Sequence, residues 1–212
     1  MLNNLGETPN EANFYWIRGH VNPIESLNSF NDFERAFLSN KKDWRYALSY
    51  ANSLLTNNKV SEAIDVLKGS FKHNRLNYSL GLKLAEAYVK LKAYDQAISL
   101  FDELEVLPYE HAKGSRKIYT DAYVRRAAEM FEKGDHDQSI KLLTKALEWP
   151  ENLGVGKPFE AEERVIRFML ALMADPEKAQ LELNQVALYS TKQLEPGKKE
   201  NLLGLYAIEL TN

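Results

Sequence analysis

The sequence lacks cysteine altogether and has almost no imbalance of charge. Without cysteine, its 212 residues cannot form disulfides, thiolate metal sites or a cysteine nucleophile. The 27 Lys and Arg residues against 30 Asp and Glu residues give a net charge of −3, so the basic excess typical of nucleic-acid-binding proteins is missing. Hydrophobic residues make up 44% of the chain, which is enough for a folded core. We therefore expect a folded protein with no nucleic-acid partner.

Targeting and membrane-spanning segments are also missing from the sequence as given. Residues 1–6 contain no basic segment followed by an apolar stretch, as a signal peptide would. No apolar run approaches the length that a bilayer-spanning helix needs. These absences, together with the lack of cysteine, predict a cytoplasmic protein that does not associate with membranes.

Catalytic and metal-binding motifs are equally scarce. No two of the four histidines are spaced to ligate one ion from a single helix; they are His20, His73, His111 and His136. Asp135 precedes a predicted helix, where we expect it to cap the helix. No Gly-x-Ser-x-Gly elbow and no supported pair of catalytic carboxylates occurs. The sequence predicts no cofactor, no metal and no catalytic residue. The hypothesis that the chain is an enzyme therefore has no positive evidence, and it ranks below the two non-catalytic hypotheses given at the end of this subsection.

The stretch Gly-Val-Gly-Lys at residues 154–157 is similar to part of a phosphate-binding loop but does not complete one. That motif needs glycine five positions before the Gly-Lys pair, where this chain has Glu151. It also needs serine or threonine after the lysine, where this chain has Pro158. The pattern therefore indicates a glycine-rich connection between helices.

A pattern of small and large residues recurs along the chain at nearly constant intervals. The small residues are separated by 34, 34 and 42 positions; they are Ser29, Ala63, Ala97 and Ser139. Large apolar residues follow four positions later, at Phe33, Leu67, Phe101 and Leu143, and three of the four residues at seven positions later are small. Two helices approach closely only where the contacting residues are small, so each small residue is expected at a helix crossing. The longer third interval places eight extra residues within 107–117.

Residues 81–101 show the repeating unit most clearly. Leu84, Ala85 and Tyr88 share one helical face, and Ala97 and Phe101 lie on the face of a second helix. This arrangement resembles the tetratricopeptide repeat, in which a bulky residue is followed by Leu-Gly-x-x-Tyr, then Ala-x-x-x-Phe, then Pro.

Residues 81–108 differ from the family pattern at two positions and agree with it at a third. Gly81 stands in place of the first bulky residue, and Ala85 stands in place of the glycine. Pro108 lies near the expected end of the repeat. The resemblance implies an all-α fold, a right-handed superhelical solenoid of antiparallel helix pairs with four to five hairpins and a closing helix.

We expect residues 1–212 to form a single solenoid of this kind. Its parts would be a degenerate repeat at 8–40, repeats at 43–75, 78–108 and 118–150, a divergent hairpin at 159–190 and a capping helix at 196–212. Stacked repeats need atypical ends, because their last apolar faces require shielding. Helix starts are predicted at Thr8-Pro9 and Asn22-Pro23, each followed by a glutamate that can complete a capping box. The aromatic residues 14–16 are expected in the core.

The family resemblance also implies a concave groove lined by the first helix of each repeat. Its ligand-facing residues would be Arg45, Leu48, Ser49 and Asn52, then Lys83, Glu86 and Lys90, then Val124, Arg125 and Phe131. Among these, Arg45, Asn52, Lys83, Glu86, Lys90 and Arg125 are the candidate site. Lys83 and Arg125 would orient an acidic or carboxylate-bearing segment. An equally open interpretation is a solvated helix face, on which Glu86 neutralises Lys83.

Family members that bind chaperone tails hold a peptide carboxylate with a cluster of Lys, Asn and Arg. Only Asn52 and Arg125 match that cluster here. Leu48 and Asp121 stand where lysines are expected, and Lys83 stands where an asparagine is expected. The resemblance therefore implies a non-catalytic scaffold for a protein or peptide partner of unknown identity, which can also form a homo-oligomer.

A second resemblance covers residues 149–158, Trp-Pro-Glu-Asn-Leu-Gly-Val-Gly-Lys-Pro. This stretch looks like the tetratricopeptide tail of certain bacterial proteins of unknown function, in which a β-rich, carbohydrate-binding-like domain precedes the tail. The alternative function that it implies is a structural or assembly module of a larger, carbohydrate-related protein, with no groove ligand of its own.

Overall fold

The computed structural model of the chain describes residues 11–108, 114–158, 163, 166, 167, 169 and 170. All regular structure within these residues is helical, as the sequence predicts. The eight α-helices are α1 (Glu11–Val21), α2 (Leu27–Ser39), α3 (Trp44–Thr56), α4 (Val60–His73), α5 (Tyr78–Lys90), α6 (Tyr94–Phe101), α7 (Gly114–Glu132) and α8 (His136–Ala146). A short 3-10 helix follows at Glu151–Leu153.

The chain divides into two compact bodies, with the boundary in the sequence between Glu105 and Val106. In the first body, three helix pairs follow one another: α1 with α2, α3 with α4, and α5 with α6. In the second body, α7 packs against α8. The connections within pairs are three to five residues long, and such short connections fold consecutive helices back on one another.

The repeating small residues lie where the pattern predicts, at completely buried positions. Ser29, Ala63, Ala97 and Ser139 each have 0% exposed surface. The large residues four positions later are at most 3% exposed. The two serines also bond across the crossing: the Ser29 hydroxyl donates to the Gly19 carbonyl at 2.8 Å, and the Ser139 hydroxyl donates to the Ala127 carbonyl at 2.8 Å. The hydroxyls satisfy their hydrogen bonding without holding the helices apart.

The turns inside the second, third and fourth pairs share one backbone conformation. Asn58, Lys92 and Gly134 have positive φ angles of 59°, 62° and 81°. The next amide in each turn donates to the carbonyl five residues earlier at 2.9 Å. These residues are spaced by 34 and 42 positions, like the crossing residues. Only Gly134 adopts this conformation without a steric cost, so the repeat geometry imposes it on Lys92.

Helix starts confirm one predicted cap and correct another. The Asp135 carboxylate accepts a hydrogen bond from the Gln138 amide at 3.1 Å, as expected of a cap at the start of α8. The predicted start at Asn22 is wrong, because α2 begins at Leu27 and Ser26 caps it. Asn22 instead donates its side-chain amide to the Arg18 carbonyl at 3.1 Å. Pro23 lies before α2, in a turn closed by a hydrogen bond from the Ser26 amide to the Pro23 carbonyl, and it is not the first residue of the helix.

Gly81 departs from the family pattern for a packing reason. A Cβ at this buried position would lie 2.2 Å from Cδ2 of Leu104 and 3.2 Å from the ring of Phe71. Leu104, which is 1% exposed, therefore occupies the space that a bulky residue at position 81 would fill.

In the second body, the 149–158 segment is anchored to its neighbours by the backbone. Asn152 accepts a hydrogen bond from the Val106 amide at 2.7 Å, and the Leu153 carbonyl accepts one from the Ser115 hydroxyl at 2.7 Å. Gly154 has a φ of 67°, and a Cβ there would lie 2.5 Å from the Val106 carbonyl oxygen. The glycine is thus required by a close backbone contact, in accord with its interpretation as a connection.

Trp149, at the start of this segment, lies between two charged side chains. The Arg116 guanidinium sits 4.5 Å from the centroid of its indole ring, and its Nε1 donates to Glu163 at 3.2 Å. Glu163, only 5% exposed, also accepts from Lys157 at 2.8 Å and Arg167 at 2.6 Å. Burial alone would raise the pKa of Glu163, but hydrogen bonds from Lys157, Arg167 and Trp149 lower it to about 2.

Several sequence predictions concern residues outside the described part of the chain. They are the helix start at Thr8-Pro9, the greater part of the 159–190 hairpin, the 196–212 capping helix and His111.

Replacing Ala97 with leucine tests the helix crossing of the third pair. Ala97 is completely buried, so the added atoms should force α5 and α6 apart and lower the free energy of unfolding by about 1–3 kcal/mol. Urea denaturation followed by far-UV circular dichroism measures this change. Gln96→Leu, at an exposed position of the same helix, is the control and should change stability little. Equal effects of the two substitutions would show that position 97 is not a close crossing.

A pH series tests the buried carboxylate of the second body. Because the pKa of Glu163 falls from 4.5 to about 2 on folding, its contribution to stability is complete above pH 4.5 and is lost as the pH falls toward 2. We expect the stability difference between the wild type and Glu163→Gln to shrink over that interval. The control Glu132→Gln makes the same substitution at an exposed position and should change stability little. A difference for Glu163→Gln that does not change with pH would contradict the assignment.

Candidate functional site

The candidate residues predicted from the sequence lie on three first helices of the pairs. Arg45 and Asn52 lie on α3 in the first body, and Lys83, Glu86 and Lys90 lie on α5 in the same body. The remaining candidate, Arg125, lies on α7 in the second body.

On α5, the three candidates form one ion-paired group. Lys83 Nζ lies 2.7 Å from Glu86 Oε2, and Lys90 Nζ lies 3.6 Å from Glu86 Oε1. Lys83 and Glu86 are half-buried. Glu86 therefore pairs with Lys83, as one of the two sequence interpretations expects. The group still carries one positive charge in excess, because one carboxylate is shared by two ammonium groups.

On α3, Arg45 is held at the beginning of the helix. Its guanidinium makes two hydrogen bonds to Asp43, at 3.0 and 2.6 Å, and lies 5.6 Å from the ring centroid of Trp16 on α1. The hydrogen bond from Arg45 lowers the pKa of Asp43, against an opposing effect of burial. Asn52 lies about two turns after Arg45 on α3 and is half-buried. No described residue forms a hydrogen bond with its side-chain amide.

Two predicted groove residues are not accessible in the structure. Ser49 is 8% exposed, because α1 covers it: the Trp16 indole donates to its hydroxyl at 2.9 Å, and His20 Nε2 lies 3.2 Å away. Val124 on α7 has no exposed surface at all. The assignment of these two residues to a ligand-facing surface is wrong, because both side chains are buried. Phe131, by contrast, is 37% exposed.

In the second body, Arg125 is paired on its own helix. Its Nε donates to Asp121 Oδ1 at 2.6 Å. Burial raises the pKa of Asp121, and the neighbouring Arg125 opposes this change without cancelling it. An arginine in a close ion pair has less free energy to gain from an incoming carboxylate, since it must first share or lose its own partner.

The structure also brings together polar residues that the sequence analysis did not connect. Arg18 on α1 makes two hydrogen bonds to Asp32 on α2, at 2.7 and 2.6 Å, and the carboxylate side chain is only 5% exposed. Both line a polar pocket of about 400 Å³, together with Asn22, Asn28, Asn31 and Arg35. This ion pair joins the first two helices and leaves half of the arginine accessible.

One signal in the sequence could have found the covered serine. Trp16 and Ser49 are 33 positions apart, close to the repeat length, so the repeat predicts them on neighbouring first helices. The contact between Arg18 and Asp32 has no comparable signal, because it depends on how α1 and α2 cross.

The described residues contain no group of three His, Cys, Asp or Glu side chains arranged to hold a metal ion. In the same part of the chain, no helix has both the length and the apolar character that would let it cross a membrane. The candidate residues on α3 and α5 provide charged and amide side chains to the surface of the first body.

Comparisons with known proteins are informative for the fold. No protein-family model matches the sequence, and no curated protein matches it. Among solved structures, the chain is similar to PilF of Pseudomonas aeruginosa, with a TM-score of 0.52 and 12% identity, covering 95% of this chain and 81% of that one. A thermophilic tetratricopeptide protein of Thermus thermophilus is 19% identical with a TM-score of 0.44, covering 95% of this chain and 100% of that one.

The similarity to PilF is one of fold, since only 12% of the aligned residues are identical. This similarity of fold is consistent with the helices, the repeated turns and the buried small residues of the described part of the chain. The chain therefore has an all-α fold of helix pairs that is similar to the fold of PilF.

Proposed function

We propose that the chain is a non-catalytic scaffold that binds a protein or peptide segment on the first-helix surface of α3 and α5. The observation that carries this proposal is the group formed by Lys83, Glu86 and Lys90, with its one excess positive charge, on a helix adjacent to Asn52. Asn52 and Glu86 are 34 residues apart, so they occupy equivalent positions on neighbouring first helices.

The chemistry of these groups suits a peptide that carries a carboxylate. A carboxylate can join the two lysines beside Glu86, and the half-buried setting weakens the solvent screening of that interaction. The Asn52 amide offers one acceptor and two donor protons, which match the hydrogen-bonding groups of a peptide backbone. Arg125 would contribute a similar contact in the second body after rearrangement of its pair with Asp121.

A charge reversal at Lys83 tests this scaffold. Lys83→Glu would place a carboxylate three residues before Glu86, so we expect capture of a partner from source-cell extract to be lost and the purified pair to bind at least ten times more weakly. Only surface charges change, so the free energy of unfolding should fall by less than about 1 kcal/mol. Arg125→Glu, made separately, asks whether the second body takes part.

The control for the scaffold experiment is Lys141→Glu, which makes the same charge change at an exposed position of α8. Partners identified by mass spectrometry are then titrated against each variant by calorimetry. Capture of the same partners by Lys83→Glu with unchanged affinity would refute binding at this surface.

A second candidate function, assembly within a larger protein, is favoured by the surface of α1. Phe14, Ile17 and Val21 are 52%, 52% and 79% exposed, and their spacing places them on one face of the helix. The expectation that Phe14 belongs to the core is therefore wrong, whereas Tyr15 and Trp16 do pack against core residues. The opposite face of α1 carries the buried Ala12 and Gly19. An exposed apolar stripe of this kind is typical of a protein interface.

Replacing Ile17 with glutamate tests one form of assembly, the association of copies of the chain through this stripe. If the stripe joins copies of the chain, the wild type should form oligomers at high concentration and Ile17→Glu should stay monomeric in light scattering. Stability should change little, because the side chain is exposed. The control Ser61→Glu adds the same charge at an exposed position of α4. A wild type that remains monomeric at all concentrations would contradict self-assembly through this stripe.

A further inference from the structure

A separate pocket lies in the first body between α4, α5 and α6, with a volume of about 510 Å³. Its apolar lining comes from one large residue or more on each helix: Phe71 from α4, Leu84 and Tyr88 from α5, and Leu100 from α6. Three of these four are less than 8% exposed, so they form a fixed floor. The volume falls within the range of pockets that bind small molecules or single large side chains.

This pocket is distinct from the first-helix surface. Leu84 and Tyr88 lie about 100° or more around the axis of α5 from Lys83 and Glu86, given the rotation of about 100° per helical residue. The inference that follows therefore does not depend on the proposed function.

The α4 side of the pocket is basic and is not neutralised. Lys68 and Lys72 both line the pocket and are exposed. They are four positions apart on one helix, where like charges repel. Neither lysine forms an ion pair with any described residue. Arg75 differs from them, because it is paired with Glu103 across the pocket and covers the ring of Phe71 at 5.1 Å.

The α6 side of the pocket has the opposite character. Asp95, Gln96 and Ser99 line it, so no basic side chain of α6 faces the ligand space. An occupant would place its acidic groups toward α4 and its apolar group on the floor. The pocket is therefore polarised, with lysines on its α4 side and no basic side chain on its α6 side.

We propose that this pocket binds a segment of a partner protein in which a large apolar side chain is flanked by aspartate or glutamate. The apolar side chain rests on the floor formed by Phe71, Leu84 and Leu100, and it covers the part of Tyr88 that is still exposed to water. The flanking carboxylates pair with Lys68 and Lys72 and remove the repulsion between the two ammonium groups.

The test begins with a phage-displayed library of random 12-residue peptides, selected on the full chain. The peptides enriched on the wild type are then tested, without any counter-selection, against the variant Lys68→Glu with Lys72→Glu. We expect the enriched sequences to share a large apolar residue with acidic neighbours. Synthetic copies, measured by fluorescence polarisation, should bind the double variant at least ten times more weakly than the wild type, and the wild-type affinity should fall as salt is added.

Matched variants separate the pocket from general charge effects. Lys133→Glu with Lys141→Glu makes the same charge change at exposed positions of the second body, and Lys83→Glu alters the first-helix surface; both should leave binding of the selected peptides unchanged. Ser99→Trp should block the pocket without touching the core, since Ser99 is exposed, whereas Ser99→Ala should not.

Three results would overturn the proposal. The first is a selection that enriches no peptide, or one that enriches peptides without acidic residues. The second is equal affinity of the selected peptides for the wild type and the Lys68, Lys72 double variant. The third is a wild type that forms oligomers which the double variant loses, because the occupant would then be a second copy of this chain.

Discussion

The close crossing of two helices within each pair is the constraint on which the rest of the structure depends. The four residues at these crossings are completely buried; they are Ser29, Ala63, Ala97 and Ser139. They are small because any larger side chain would separate the helices. Once the distance is set, the large residue four positions later has a defined space to fill. The serines add hydrogen bonds to carbonyls of the facing helix without increasing that distance. Packing and turn geometry then recur together, which is why the positive φ angles follow the same spacing.

The charged surface of the first helices is largely organised within each helix. Lys83 pairs with Glu86, Arg125 with Asp121, and Arg45 with the nearby Asp43. Such pairs are worth little to stability when they are exposed, and they reduce the affinity of any single cation for a ligand. In the function that we propose, binding on this surface would therefore depend on the charge left over within a group, and on the neighbouring amide of Asn52.

The pocket between α4, α5 and α6 follows a different principle. Lys68 and Lys72 form no ion pair with a described residue, and the floor of the pocket belongs to the core of the first body. A single helix pair cannot make this arrangement, because the two polar walls come from the second helices of neighbouring pairs. Two surfaces with unlike chemistry can thus coexist on one short stack of helices.

Much of the fold was predictable because it depends on local periodicity. The spacing of small and large residues identifies the helices, the crossing positions and the cap at Asp135 from the sequence alone. The tail-like segment 149–158 was likewise predictable as a connection, although its contacts with Val106 and Ser115 were not. Two predictions about individual side chains were wrong. Ser49 and Val124 were expected on a ligand-facing surface, but Trp16 covers Ser49 and Val124 is buried.

The sequence by itself determined which residues face the partner helix, because a helical period of 3.6 residues assigns each position to a side of its own helix. Only the tertiary structure decided which side chains from different helices meet. The packing of Leu104 into the space beside Gly81, the pairing of Arg18 with Asp32 and the polarised pocket are examples. They depend on the rotation and distance between helices, which arise from the packing of the whole core and not from any local pattern.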